Sequence, residues 1–333
     1  MAVKRIDIHS HVIPGTMIDE IAAHPDKYSM HVEGEGAGMR IVRAGHGAPV
    51  YAEFHDPEAK IESMDRRGID ISVISPAPIM FFYWLDADVA LRLSRLVNDG
   101  IAAMAAARPD RLRGAATLPM QDPDAAVAEL ERVVKTHGFR AVEIGSLIEG
   151  KQLADPRFRS VLRRAHELDV FIFTHPYHLG PKPGLECYYT TNFIGNPLDT
   201  AIMATHLIFS GALDELPRLK ICLPHAGGYL PYQIGRLVHG QKVRKEARVH
   251  TTTPPLELFR RFYFDTLAHS PQALRYLIDL VGADHIAIGT DAPYDMGDEA
   301  PLALLDAVPG LTAAERDQIC GLTALKLLGE ERK

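Results

Sequence analysis

The sequence predicts an α/β protein of the (β/α)8 TIM-barrel class with a small insertion after the first strand. Two observations carry that reading: eight short β-rich runs recur along the chain, and helix-length segments lie between them. An open doubly wound sheet is the rival arrangement, but the GxGxxG phosphate turn it would carry after the first strand is missing. The 333 residues are read as one domain, since barrels of this size commonly form a single unit.

The strands fall, in order, at KRIDIH (4–9), DISVIS (70–75), GAATL (114–118), RAVEI (140–144), VFIFT (170–174), KICLP (220–224), FYFD (262–265) and IAIGT (286–290). Among the helices between them are EAKIESMDRRG, DAAVAELERVVKTHG and SPQALRYLIDLVG. Asp56-Pro57, Asp122-Pro123, Asp155-Pro156 and Ser270-Pro271 each set a capping side chain ahead of a first-turn proline, and several helices close near glycine. Residues 12 to 56 break the rhythm. They are far too long for a βα loop, are rich in Gly and His, and are expected to form the insertion over the barrel mouth.

Composition narrows the function. Hydrophobic residues make up 47% and charged residues 24%, a balance that supports a large core without crosslinks. Cys187, Cys222 and Cys320 are odd in number, far apart and free of any CxxC pair, which fits a reducing cytosol rather than a disulfide framework. Cys222, inside ICLP, reads as a small buried side chain. The net charge of −7, with no basic stripe, argues against a nucleic-acid partner. The densest positive stretch, residues 235–248, reads as a solvated helix face apart from Arg236. No apolar segment has the length of a membrane span, and none follows the N-terminus as a signal peptide would require. A soluble, cytoplasmic protein is expected.

The strand ends carry the chemistry. Alternation along a strand turns His9 and His11 of IDIHSH to the same side, His9 as the last strand residue and His11 just above it. Alone, such a pair reads as hydrogen-bonded core histidines. However, His175 follows the fifth strand directly, His225 the sixth and Asp291 the eighth. Four strands thus deliver imidazoles and a carboxylate to one rim, the face where barrel chemistry occurs. His9, His11, His175 and Asp291 can hold one divalent cation and leave a position open for water or substrate. His225 is suited to move a proton. Spacing alone does not say which histidine stays off the metal.

The order HxH, HP after strand five, HxGG after strand six and GTDxP after strand eight resembles the amidohydrolase superfamily. More narrowly, the chain resembles the branch containing aminocarboxymuconate semialdehyde decarboxylase. The likeness runs over nearly the whole length and includes PIMFFYW (78–84), TLPMQDP (117–123), GNPLDT (195–200) and PHAGGYLPYQIGR (224–236). It implies zinc, with manganese as the alternative, held by His9, His11, His175 and Asp291. It implies that His225 is the catalytic acid–base, with Asp291 beside it in the catalytic pair, and that no organic cofactor is needed. Arg236 would bind a substrate carboxylate from the partner subunit, which implies a homodimer.

The departures concern the substrate. Where the decarboxylase has an arginine just before PVY, this chain has Ala48, which removes a bidentate carboxylate fork. Arg40 or Arg43 is either a substitute for it or an ordinary loop arginine. Asn192 replaces a tryptophan, Tyr177-His178 replaces Trp-Asp, and Glu143 replaces a glutamine. Asn192 and His178 are therefore candidate substrate contacts. Glu143 is expected to orient a ligand imidazole from behind, a second metal being the other reading, and Asp265 is expected to do the same. His206, inside a helix, reads as structural.

Decarboxylation of an aromatic or dienoic acid is the function these features imply. Hydrolysis of an amide, ester or lactone, or hydration, is the alternative at the same metal. A noncatalytic barrel would have no need of the proton-moving His225.

Overall fold

The computed structural model describes residues 3–331 apart from Asp26 and residues 178–182. Thirteen strands occur in chain order among them. They are β1 (Ile6–Val12), β2 (Met30–Glu33), β3 (Arg40–Arg43), β4 (His46–Pro49), β5 (Ile71–Pro76), β6 (Leu112–Ala116), β7 (Ala141–Gly145), β8 (Leu147–Ile148), β9 (Lys151–Gln152), β10 (Phe171–His175), β11 (Ile221–Leu223), β12 (Tyr263–Asp265) and β13 (Ile286–Ala287). Eight of them form one parallel sheet in the order β1-β5-β6-β7-β10-β11-β12-β13. These are the eight strands expected from the sequence. The bridges Asp7–Ile288 and Ser10–Ala292 join the last strand to the first and close the barrel.

Helices cover the outside: α1 (Gly15–Ala23), α2 (Pro57–Arg67), α3 (Ala87–Ala107), α4 (Pro123–His137), α5 (Arg159–Glu167), α6 (Asn196–Phe209), α7 (Ala212–Glu215), α8 (Leu230–Val243), α9 (Pro255–Phe259) and α10 (Pro271–Val281), followed by short C-terminal helices. The caps read from the sequence are present. Asp56 accepts from Glu58 N, Asp122 from Asp124 N and Ala125 N, Asp155 from Arg157 N, and Ser270 from Ala273 N. Gly68 and Gly138 end α2 and α4 in the left-handed region, at φ 72° and 69°.

The barrel interior is filled by Ile6, Ile8, Ile71, Val73, Phe171, Phe173 and Cys222, among others. β1 shows why this layer can sit directly beneath the histidines. Its register against β5 slips by one residue between Asp7 and Ser10. This bulge lets Ile6 and Ile8 serve the interior layer while His9 and His11 still face the mouth. The strand also runs to Val12, three residues beyond the expected end, because its pairing with β5 continues to Pro76. Conversely, the eighth strand is shorter than expected: β13 stops at Ala287, and the chain then bends through isolated bridges.

The insertion has structure of its own. After α1, strands β2, β3 and β4 form an antiparallel sheet of three, with Ala48 paired to Ile41. Phe54, at its end, packs edge-on against Tyr294, which in turn packs against His11. A small hairpin, β8–β9, follows β7 and was not expected from the sequence.

Candidate metal centre and active site

His9, His11, His175 and Asp291 meet at the C-terminal end of the barrel, with one ligand atom from each lying within 4.8 Å of the others. All four are buried. The two Nε2 atoms of His9 and His11 are 3.1 Å apart, and Asp291 Oδ1 is 3.3 Å from the first and 3.0 Å from the second.

The opposite ring nitrogens fix the tautomers. His9 Nδ1 lies 2.8 Å from Asp265 Oδ2, His11 Nδ1 3.3 Å from the Pro76 carbonyl and His175 Nδ1 3.0 Å from the Pro176 carbonyl. Each of these partners is an acceptor, so each Nδ1 carries the proton and each Nε2 carries a lone pair. In that neutral form, three lone pairs and the Asp291 carboxylate converge on one point. Asp291 Oδ1 has no hydrogen-bond donor among the described residues. This donor set fits a divalent cation, and three nitrogens with one oxygen suit zinc or a similar metal.

The electrostatics follow the same arrangement. Burial raises the Asp291 carboxyl, but His9, His11 and His225 outweigh it and hold the group well below the usual range. Burial and the neighbouring His11 and His9 keep His175 well below the usual imidazole value, hence neutral. Burial lowers His9, but Asp291 and Asp265 outweigh it and raise it, so a bound cation takes the place of a proton on Nε2.

Asp265 ties the site together. Its Oδ2 accepts from His9 Nδ1 and from His225 N at 2.9 Å, while Oδ1 accepts from Ala226 N at 2.7 Å and Leu267 N at 3.1 Å. The two bonds to residues 225 and 226 pin a left-handed turn, with φ near +54° and +53°. Such conformations cost non-glycine residues of order 1–3 kcal/mol each and persist where the surroundings enforce them. The turn aims His225 into the mouth. Its ring lies 5.8 Å from that of His175 and 5.5 Å from that of His9, and its Nε2 is 3.7 Å from Asp291 Oδ2. His225 Nδ1 has no partner among the described residues.

A family model described as amidohydrolase matches residues 6–329. The chain belongs to the amidohydrolase family. Within it, the chain falls in the decarboxylase branch. It is 30% identical to the 2-amino-3-carboxymuconate-6-semialdehyde decarboxylase of Dictyostelium discoideum, over 98% of this chain and 91% of that protein. It is 32% identical to the gamma-resorcylate decarboxylase of Rhizobium sp. (strain MTP-10005), over 79% of this chain and 83% of the relative. Among solved structures, Metarhizium anisopliae IDCase in apo form superposes with a TM-score of 0.85 at 25% identity, covering 99% of this chain and 98% of that one.

The remaining sequence candidates of this amidohydrolase divide. Asn192 lines both compartments of the cavity above the metal cluster. Arg236 is exposed on α8 and is not among the residues lining those compartments in its own chain. His178 lies outside the described residues. Arg40 donates to the Gly47 carbonyl at 2.8 Å, and the Arg43 guanidinium stacks 3.6 Å from the Trp84 ring centre. His206 is exposed on α6. Glu143 is fully buried, and burial raises its carboxyl. It stands 3.7 Å from His11 Nδ1, beyond hydrogen-bond reach, because the Pro76 carbonyl takes that position.

Sequence reasoning missed two buried charges behind the cluster. Asp7 Oδ1 accepts from His9 N and Thr290 N, and Oδ2 accepts from Thr290 Oγ1 at 2.7 Å. Lys60, in α2, sends Nζ toward the carbonyls of His11 and Ala292. Burial pushes its ammonium down to about 8, with Asp7 opposing the shift. The one signal for Asp7 was that it shares the parity of His9 and His11 in IDIHSH; Lys60 sits in an ordinary amphipathic helix and gave none.

Proposed function

We propose that this amidohydrolase is a metal-dependent, nonoxidative decarboxylase of an aromatic carboxylic acid that uses no organic cofactor. The observation that carries the proposal is His225, held by Asp265 beside the ligand cluster with one ring nitrogen free. When bound by His9, His11, His175 and Asp291, a divalent cation supplies a Lewis-acid anchor for the substrate carboxylate. Zinc is the metal proposed, and manganese is the alternative.

The cavity suits a ring. A compartment of about 180 Å³ over the cluster is walled by Tyr189, Asn192, His225 and Tyr294. A second, of about 630 Å³, adjoins it and is largely apolar, with Phe193, Tyr229, Tyr276 and Leu267 in its walls. Aromatic faces orient a substrate ring by stacking and exclude water from it.

His225 holds the proton to be delivered, with Asp291 Oδ2 placed to stabilise the imidazolium. Transfer of that proton to the ring carbon bearing the carboxylate makes the new C–H bond. The C–C bond to the carboxylate then breaks, its electron pair returns to the ring, and CO2 leaves. His225 is partly exposed, so solvent restores its proton. Asn192 contacts the substrate, and Arg236 of the partner subunit in a homodimer supplies the cation that Ala48 does not.

The test is to incubate zinc- or manganese-loaded protein with a panel of hydroxylated benzoic acids and follow CO2 together with the ring product. One CO2 per ring, with the ring intact, is expected. A hydrolysed or hydrated product without CO2 would refute the proposal in favour of the hydrolase or hydratase reading.

A further inference from the structure

The metal ligands straddle the barrel seam. His9 and His11 belong to β1, whereas Asp291 lies beyond the short β13. Across this seam the chain pairs through two isolated bridges rather than a continuous ladder. The backbone bonds there are Ile8 N to Ile288 O at 2.9 Å, His11 N to Ala292 O at 2.8 Å, Asp291 N to His9 O at 2.8 Å and Thr290 N to His9 O at 3.2 Å. The separation of the two edges is thus set by a few backbone bonds close to the ligands, just where a cation needs it fixed.

Lys60 reaches this seam from outside the barrel. It is 1% exposed, and its Nζ donates to His11 O at 3.0 Å and to Ala292 O at 3.4 Å. One ammonium thus touches the backbone of a ligand on one edge and the neighbour of a ligand on the other. The Ala292 carbonyl also receives His11 N and Ser10 Oγ, so three donors gather on one acceptor. Hydrogen bonds from a charged donor to buried carbonyls are stronger than neutral ones.

We propose that Lys60 is a positioning residue whose ammonium clasps the His11 and Ala292 carbonyls and so fixes the spacing of the two ligand-bearing edges. Cation affinity then depends on a side chain that touches no cation. This distinguishes the clasp from simple electrostatics. A buried positive charge repels a second one, so Coulomb's law alone makes removal of Lys60 tighten metal binding. The clasp makes removal weaken it.

The experiment compares wild type, K60M and K60R as full-length protein. Zinc and manganese affinities are measured by chelator competition, and thermal stability is measured with and without metal. K60M is expected to bind metal about tenfold or more weaker, the scale on which outer supports of ligands act. Its metal-induced rise in Tm shrinks, whereas a merely structural lysine would lower both melting curves equally. K60R, which keeps the charge and several donors, is expected to stay close to wild type. K60M binding as tightly as wild type or more tightly overturns the proposal, and so does K60R binding as weakly as K60M. If K60M does not fold, K60Q takes its place under the same criterion. The inference rests on the metal reading, and wild-type protein that bound neither cation would refute that reading before any variant was compared.

Discussion

His9 Nε2 and His11 Nε2 face each other at 3.1 Å while the Nδ1 of each ring is committed to an acceptor behind it. Two acceptors at that distance repel unless a proton or a metal ion lies between them, and Asp291 Oδ1 completes the same convergence. Removing a converging group therefore differs from removing His225. Protein carrying H9A or D291A should lose stoichiometric binding of a divalent cation. H225A should retain it while turnover falls by about 10²–10⁴, the usual contribution of a general acid–base. Metal content after reconstitution and dialysis, with CO2 release on the same samples, checks both halves. Metal-free H225A would place that histidine among the ligands.

Asp265 serves four donors with two oxygens. An asparagine offers one carbonyl oxygen, so D265N leaves two donors facing an amide NH2. The consequence should be a loss of metal affinity of about 10–100-fold. Chelator titration of D265N measures it, and affinity equal to wild type would show that Asp265 does not orient His9.

Gly289 is tight for a packing reason. A Cβ there would stand 2.6 Å from Asp265 Cβ and 2.9 Å from His9 Cβ. G289A should destabilise the metal-free protein by about 1–3 kcal/mol, as overpacking does, and should weaken metal binding by displacing His9. Denaturant unfolding and metal titration of one preparation test both. An unchanged midpoint would mean the neighbours move aside freely.

Away from the site, Glu315 shows how acid loosens the fold. Arg275 and the capping bonds with Thr312 hold its carboxyl down to about 2. The unfolded value is near ~4.3, so the folded pKa is the lower. Stability from this group is present above the unfolded value and disappears as pH falls through the folded one. The Tm gap between wild type and E315Q should be widest near neutrality and close as pH falls below about 4. Melting curves of the metal-free proteins at several pH values follow it. A gap that stayed constant would mean that the charge contributes nothing.

The barrel and its ligands were legible because each strand is a short apolar run, with the site residues at or just beyond the ends of such runs. His175, His225 and Asp291 needed no more than that placement. The β1 bulge was not legible: IDIHSH reads as plain alternation, and a register slip leaves no residue signature when no glycine marks it. Lys60 was hidden for another reason. In PEAKIESMDRR it occupies a position that any solvated helix face could hold, and only the packing of α2 against the seam makes it buried. The insertion was recognised by its length, but not its three strands, whose Gly-rich run gives weak alternation. Glu143 was expected to orient a ligand imidazole from behind; it stands 3.7 Å from His11 Nδ1, whose proton goes to the Pro76 carbonyl, and a backbone acceptor cannot be read from side-chain identities.

One divalent cation held jointly by His9, His11, His175 and Asp291 is the feature on which the proposed chemistry depends. Anomalous diffraction from crystals grown with zinc or manganese tests it most directly. The expected map shows a single strong peak within bonding distance of one atom from each of the four residues. A peak elsewhere, or none between those side chains at saturating metal, would contradict it.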